Sequence, residues 1–446
     1  MPGATSAKTR PSSDMPEAPA KRPRDPRLDF FRGIAMFIIL LAHTPGNYWA
    51  RWIPARFGFS DATEIFVFCS GMASALAFGA VFDRSGFFLG CARVIVRVWQ
   101  VYWAHIGLFF VVAFSTVMFN MTVPLEKDYI SGLALNPFFN DTTTNLIGLM
   151  TLTYVPNYFD ILPMYLVILA MIPAVMALAR IHPYVALGAL ATLWVATNIH
   201  NFWLGNYHFL EPLATRLAFL HLPAQYWFEP PSNERVWFFN PFGWQLVFFT
   251  GFALMRGWLP APPVTRPLIL IALAIVLLTI PLSHVALRTY GWQEWLGGVQ
   301  FWEAYREAVI SFRGTNTEFI YKTDFGIMRY VHFLAVAYLA WVAVGPMGVR
   351  LQVGTLWPRV VSVVRKVGQQ SLAVFLVSMA IARYMGVAFD LLGNGPLALI
   401  LVNGAGFGIL IATAYLVGWI KGQPWRTQRP AMPAVEPRPN LREAQA

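Results

Sequence analysis

The sequence predicts an all-α, polytopic membrane protein with about ten transmembrane helices and both termini in the cytoplasm. The 446 residues are 57% hydrophobic and only 12% charged, about half the charged share of a soluble domain. The apolar residues occur in long runs separated by Pro, Gly and charged clusters, which is the pattern of membrane spans. The 17 Trp and 16 Tyr residues suit the two interfaces of a bilayer.

The apolar segments fix the order of the elements, because a helix needs about 20 such residues to cross a bilayer. They lie at 29–46, 59–80, 98–120, 157–180, 184–203, 240–257, 267–287, 327–346, 369–388 and 396–420. The chain is thereby divided into a disordered cytoplasmic tail over 1–27, a transmembrane domain over 28–420 and a C-terminal tail over 421–446. No internal repeat is visible.

The basic residues predict the orientation of these spans. With the N-terminus inside, the inner segments hold 21 Lys and Arg residues and the longer outer segments hold 9. Positive charge accumulates on the cytoplasmic side of membrane proteins, so this distribution favours two cytoplasmic termini. It also accounts for the net charge of +11 without nucleic acid, since no basic helix with interleaved aromatic residues is present.

Three outer segments, 121–156, 204–239 and 288–326, are rich in aromatic residues, Asn and Pro. Such surfaces suit sugar rings, which have apolar faces and hydroxyl edges. The alternative is an interfacial cover over the helix bundle. The two cysteines, Cys69 and Cys91, predict free thiols and no metal site.

Ionisable residues inside the spans are costly and are therefore the first functional candidates. Asp29, Arg32 and His43 of the first span fall within about 60° of one another on a helix. Arg32 and His43 are separated by about 16 Å along the axis, which places Arg32 near the cytoplasmic end and His43 towards the outside. A helix-end ion pair between Asp29 and Arg32 is the simpler alternative for those two residues.

The second span carries Asp61 and Glu64 on one face, at a depth similar to that of His43. A histidine beside a carboxylate is the usual arrangement of a general base, because the carboxylate fixes the imidazole tautomer. The sequence leaves open which carboxylate is the partner. It also leaves open an interhelical hydrogen bond for His43 and a helix-capping role for Asp61.

Further ionisable residues are candidates for lining a cavity, with a structural hydrogen bond as the alternative for each. Four lie towards the outer side and one lies in the inner half of the third span. They are Asp160, Arg329, His332 and Arg383 on the outer side, and His105 on the inner side.

Five segments resemble the OpgC family, whose members are membrane succinyltransferases of osmoregulated periplasmic glucans. The segments are RLDFFRGIAMFIILLAHTPGN, FGFSDATEIFVFCSG, FFLGCARVIVRVWQVYWAHI, PNYFDILPMYLVIL and VGQQSLAVFLVSM. The resemblance extends over most of residues 28–420. The spacing of Arg32 and His43 is also similar to a signature of the wider transmembrane acyltransferase group.

This resemblance implies an enzyme of the bacterial inner membrane with ten spans, a cytoplasmic acyl-CoA donor and a periplasmic glucan acceptor. It implies succinyl-CoA as co-substrate and no permanently bound cofactor. The oligomeric state stays open, and a homodimer is one of the possibilities. His43 is expected to be the general base, with Glu64 or Asp61 as its acidic partner. Arg32, Asp29 and His105 are expected on the donor side, and Asp160, Arg329, His332 and Arg383 on the acceptor and acyl side.

A secondary transporter or exporter of glucans or organic anions is the competing interpretation, because it shares the many spans and the buried charges. The chain shows neither the internal repeat nor the pair of broken helices typical of such transporters. The sequence therefore favours an acyltransferase.

Overall fold

The structure, a computed structural model, describes residues 25–203, 211–225, 235–287 and 292–425, and within these ranges it is helical without a β-strand. In this described part of the chain, short helices and turns connect twelve longer helices. These are α1 (Pro26–His43), α2 (Ala62–Ser85), α3 (Phe87–Thr122), α4 (Ile161–Ile181), α5 (Pro183–Trp203), α6 (Pro241–Arg256), α7 (Arg266–Thr279), α8 (Trp292–Thr315), α9 (Ile327–Val344), α10 (Leu356–Gln369), α11 (Ser371–Leu392) and α12 (Pro396–Lys421).

Six of these helices, α2, α3, α4, α9, α11 and α12, are long and apolar enough to cross a membrane. Two shorter apolar helices cover Pro183–Ile199 and Arg266–Leu282. Large apolar side chains are exposed on the outside of the bundle, among them Phe88 at 86%, Met121 at 81% and Ile181 at 74%. Extensive exposed apolar surface of this kind suits lipid rather than water, so the all-α membrane architecture is confirmed.

Each of the ten predicted spans coincides with a helix, whereas α8 and α10 lie in predicted loops. Residues 81–97, which lie between the predicted spans 59–80 and 98–120, are largely helical. Only Gly86, with a φ of +83°, separates α2 from α3, and α3 begins at Phe87 instead of residue 98. Arg93 and Arg97 are good helix formers, so the helix continues into the polar region. Of the predicted tails over 1–27 and 421–446, residues 1–24 and 426–446 lie outside the described residues.

The bundle has two ends, which we name after residues of α1. At the Arg32 end, the start of α1 packs against α10. The end of α12 lies at the same end of the bundle, where Lys421 donates a 2.7 Å hydrogen bond to Gln370. At the His43 end, the start of α2 meets the start of α9 through an ion pair between Glu64 and Arg329. These two ends carry the two groups of candidate residues.

Glycines allow the helices that position these groups to approach closely. A Cβ atom on Gly368 would lie 1.8 Å from the carbonyl oxygen of Asp29, and one on Gly33 would lie 2.1 Å from that of Val364. The same reciprocal arrangement joins α2 to α6, where Gly71 and Gly251 approach the opposite backbones. Small residues at contacts between membrane helices permit this dense packing.

Candidate active site

His43 is the last residue of α1, and its half-buried imidazole faces the ring of Tyr158 with 5.4 Å between the ring centroids. The Nδ1–H group donates a 2.9 Å hydrogen bond to the carbonyl oxygen of Ile39, one helical turn back. Because a carbonyl oxygen only accepts, this bond fixes the neutral tautomer in which Nε2 carries the lone pair. Such an Nε2 can take a proton from a hydroxyl group.

Four charged side chains form an ion network near His43. Oε1 of the fully buried Glu64 accepts from Nη2 of Arg329 at 2.5 Å and from its Nε at 3.0 Å. Oδ2 of Asp61 lies 2.5 Å from Nζ of Lys322 and 3.7 Å from Nη2 of Arg329. The network therefore contains two cations and two anions and is neutral when all four groups are charged.

The local sequence explains why both carboxylates lie at the start of α2. Asp61 Oδ1 accepts from the backbone N–H of Thr63 at 2.7 Å, while Glu64 Oε2 accepts from the backbone N–H of Asp61 at 2.8 Å. This is a capping box, in which the two side chains satisfy free donors at a helix N-terminus. The helix-capping alternative for Asp61 is thus confirmed.

The expected contact between His43 and a carboxylate is not formed among the residues that the structure describes. Lys322 and Asp61 are close enough for their charges to act on the imidazole. However, neither the carboxylate of Asp61 nor that of Glu64 is hydrogen bonded to it. The reason is that Glu64 and Asp61 are engaged by Arg329 and Lys322. The backbone of Ile39 fixes the tautomer in their place.

Lys322 was missed by the sequence reasoning, and helices α5 and α6 hold it in place. Nε1–H of Trp244 donates to the carbonyl oxygen of Lys322 at 2.8 Å, and Nδ2–H of Asn198 donates to that of Asp324 at 2.9 Å. These bonds fix the backbone that precedes α9 and direct the ammonium group towards Asp61. A single lysine in an aromatic outer segment gives no sequence signal for this role.

Tyr158 was also missed, although it lies in a segment that was singled out for its likeness to a known family. Its hydroxyl donates a 2.5 Å hydrogen bond to the carbonyl oxygen of Met379 on α11. The guanidinium carbon of Arg383 lies 5.4 Å from the centroid of its ring, so the ring contacts both His43 and Arg383. Tyr158 has a φ of +91°, and such strained backbone is concentrated at functional sites.

At the Arg32 end, α1 is joined to the junction of α10 and α11. Nη2 of Arg32 donates to the hydroxyl oxygen of Ser371, and the buried Asp29 accepts a 3.3 Å hydrogen bond from Gln369. Arg32 thus lies in the second turn of α1, about 16 Å along the axis from His43 at its end. Gln369 and Ser371 belong to the quoted segment VGQQSLAVFLVSM but were not identified as partners.

The remaining candidates have other surroundings. Asp160 precedes α4 and accepts a 3.2 Å hydrogen bond from the backbone of Phe238. Nδ1 of His332 accepts one of 3.2 Å from the backbone of Ser60. His105 is fully buried in α3, and neither of its ring nitrogens has a hydrogen-bond partner within the described ranges. The contacts of Asp160 and His332 tie chain segments together, and none of these three residues is hydrogen bonded to His43 in the described part of the chain.

Comparison with known proteins gives a match to a protein family. The family model described as OpgC protein matches residues 24–422, which is nearly the whole chain and includes both groups of candidate residues. Neither the curated proteins nor the solved structures contain a match. A match of this extent, together with the helical membrane architecture, shows that the chain belongs to the OpgC protein family.

Proposed function

We propose that the chain is a transmembrane O-acyltransferase of the bacterial inner membrane that moves a succinyl group from succinyl-CoA to a hydroxyl of a periplasmic glucan. Family membership supports a transferase role in the succinylation of osmoregulated periplasmic glucans. The observation that carries the chemistry is the hydrogen bond from Nδ1 of His43 to Ile39, which leaves Nε2 as a proton acceptor.

The proposed topology has ten spans, with the Arg32 end in the cytoplasm and the His43 end facing the periplasm. The excess of Lys and Arg in the inner segments supports this orientation. Acyl-CoA then enters at the Arg32 end, where Arg32 and the surrounding basic residues attract its phosphates. The pantetheine arm is comparable in length to the separation of about 16 Å between Arg32 and His43, so the thioester reaches His43.

In the transfer step, Nε2 of His43 takes the proton of a glucan hydroxyl while the hydroxyl oxygen forms a bond to the thioester carbonyl carbon. The carbon–sulfur bond then breaks, and the CoA thiolate leaves and takes the proton from the imidazolium. The aromatic outer segments hold the glucan. Water has no part in this reaction, and no metal or redox change is needed for its atoms to balance.

The test is transfer of labelled succinate from succinyl-CoA to a neutral periplasmic-type glucan by purified protein, followed by mass spectrometry. His43→Ala should lower the rate by about 10²- to 10⁴-fold, the usual contribution of a general base. His182→Ala is the matched control, because His182 is an exposed histidine at the opposite side of the bundle from His43. Its rate should equal that of the wild type.

Two outcomes would contradict the proposal at different points. Undiminished transfer by folded His43→Ala protein would exclude the base role while keeping the acyltransferase. Absence of transfer by the wild type with both succinyl-CoA and acetyl-CoA, combined with glucan movement across proteoliposomes without CoA, would establish the transporter instead.

A further inference from the structure

Arg383 lies on α11 and contacts the same neighbour as the proposed base His43, namely the ring of Tyr158. Its guanidinium carbon lies 5.4 Å from the ring centroid of Tyr158, and the imidazole of His43 lies 5.4 Å from the same centroid. The two groups are therefore separated by no more than twice that distance. Both side chains are half-buried, so each is partly shielded but still accessible.

Charge balance distinguishes Arg383 from Lys322, Arg329 and Lys127, which have carboxylate partners. Lys322 and Arg329 each have a carboxylate oxygen at 2.5 Å, and Lys127 has one at 2.6 Å. For Arg383, in contrast, the structure gives neither a hydrogen bond nor an ion pair within the described ranges. Asp390 is the acidic group whose charge acts on it, and that carboxylate is already engaged by Lys127.

A half-buried guanidinium without a counter-ion is a site for an anion, because a shielded charge is costly unless it is paired. Its planar fork matches a carboxylate in particular, through two parallel hydrogen bonds. Arg329 and His332 were equal candidates for this task from the sequence. Glu64 occupies the guanidinium of Arg329. His332, whose Nδ1 accepts from the backbone of Ser60, has a single N–H donor as a neutral imidazole and no planar fork.

We infer that Arg383 selects the acyl group by binding the distal carboxylate of the succinyl chain while the thioester lies at His43. This inference rests on the proposed function. The two carbonyl carbons of a succinyl group are about 4 Å apart, and reacting atoms approach to about 3 Å. With a further distance of about 4 Å between the carbons of a carboxylate and a paired guanidinium, these lengths add up to about 11 Å, which matches the upper limit of the separation between His43 and Arg383. An acetyl group has no atom to place there.

The experiment measures kcat/KM for succinyl-CoA and for acetyl-CoA with the full-length protein. Arg383→Gln should lower the value for succinyl-CoA by at least about 30-fold, the usual loss when one partner of a shielded charge pair is removed. The value for acetyl-CoA should not fall, because an acetyl group has no carboxylate for the guanidinium to bind. Arg51→Gln is the matched control, because Arg51 also lies over a tyrosine ring, that of Tyr48, and it should change neither value.

A binding measurement separates this inference from the proposed function. Butyryl-CoA has the same number of acyl carbons as succinyl-CoA but no carboxylate, so calorimetric Kd values of the two can be compared without turnover. The wild type should prefer succinyl-CoA, and Arg383→Gln should bind both equally. Equal losses for both donors, or an unchanged preference, would overturn the role of Arg383. A preference that depends on Arg383 in a protein that transfers nothing would instead overturn the transferase.

Discussion

The ion pair between Glu64 and Arg329 should be a major contributor to stability, because breaking a buried pair leaves an uncompensated charge. Arg329→Met leaves the fully buried Glu64 without its cation and should cost about 5 kcal/mol of unfolding free energy. Glu64→Gln should cost less, about 3 kcal/mol, because Arg329 keeps Asp61 at 3.7 Å. The double variant should cost less than the sum, with a coupling energy of about 2 to 3 kcal/mol.

Unfolding free energies from denaturant titration in detergent, followed by tryptophan fluorescence, would measure these changes. Lys127→Met is the control, because the pair of Lys127 with Asp390 is as short, 2.6 Å, but its side chains are 45% and 23% exposed. Exposed pairs contribute at most about 1 kcal/mol. If Glu64→Gln and Arg329→Met proved as mild as this control, the reasoning from burial would be refuted.

Two further substitutions test the packing around the site. Gly368→Ala should lower the thermal midpoint and cost at least about 1 to 3 kcal/mol of unfolding free energy, because the added Cβ would lie 1.8 Å from the carbonyl oxygen of Asp29. Gly188→Ala is the control and should not lower the midpoint, because the space around its Cβ is open. Tyr158→Phe removes the hydrogen bond to Met379 but keeps the ring, so it should cost about 1 kcal/mol of unfolding free energy and retain succinyl transfer. Tyr158→Ala should lose transfer. Equal activity of the two variants would contradict a role for the ring.

The helices could be predicted from the sequence because each depends on a local property, a long apolar run bounded by Pro, Gly or charge. The failures were at places where a helix is polar. The segment that starts α3 contains Arg93 and Arg97, and α10 contains Arg359, Arg365 and Lys366. A count of apolar residues treats both as loops. Helical geometry continues there because these residues favour a helix as much as apolar ones do.

The site could be predicted only in part, since the rise of a helix gives the depth of a residue but not the direction of its partner. Depth placed His43 and Glu64 at the same end of the bundle, and the structure agrees. Direction is set by packing, however, and Glu64 faces Arg329, which is 265 residues away in the chain. Nothing in a single sequence pairs residues so far apart. A contact of His43 with Glu64 or Asp61 was therefore expected, whereas these carboxylates pair with Arg329 and Lys322.

The charge around His43 changes when a donor with a carboxylate binds. Without a donor, an imidazolium that forms at His43 is repelled by Arg383, whose charge acts on the ring. Two unit charges at most about 11 Å apart repel by at least about 1.5 kcal/mol at an effective dielectric constant of about 20, which corresponds to more than tenfold in rate. A bound succinyl carboxylate neutralises the guanidinium and removes this repulsion, whereas an acetyl group leaves it in place. Preference for succinyl over acetyl should therefore extend to the chemical step and appear in kcat as well as in binding.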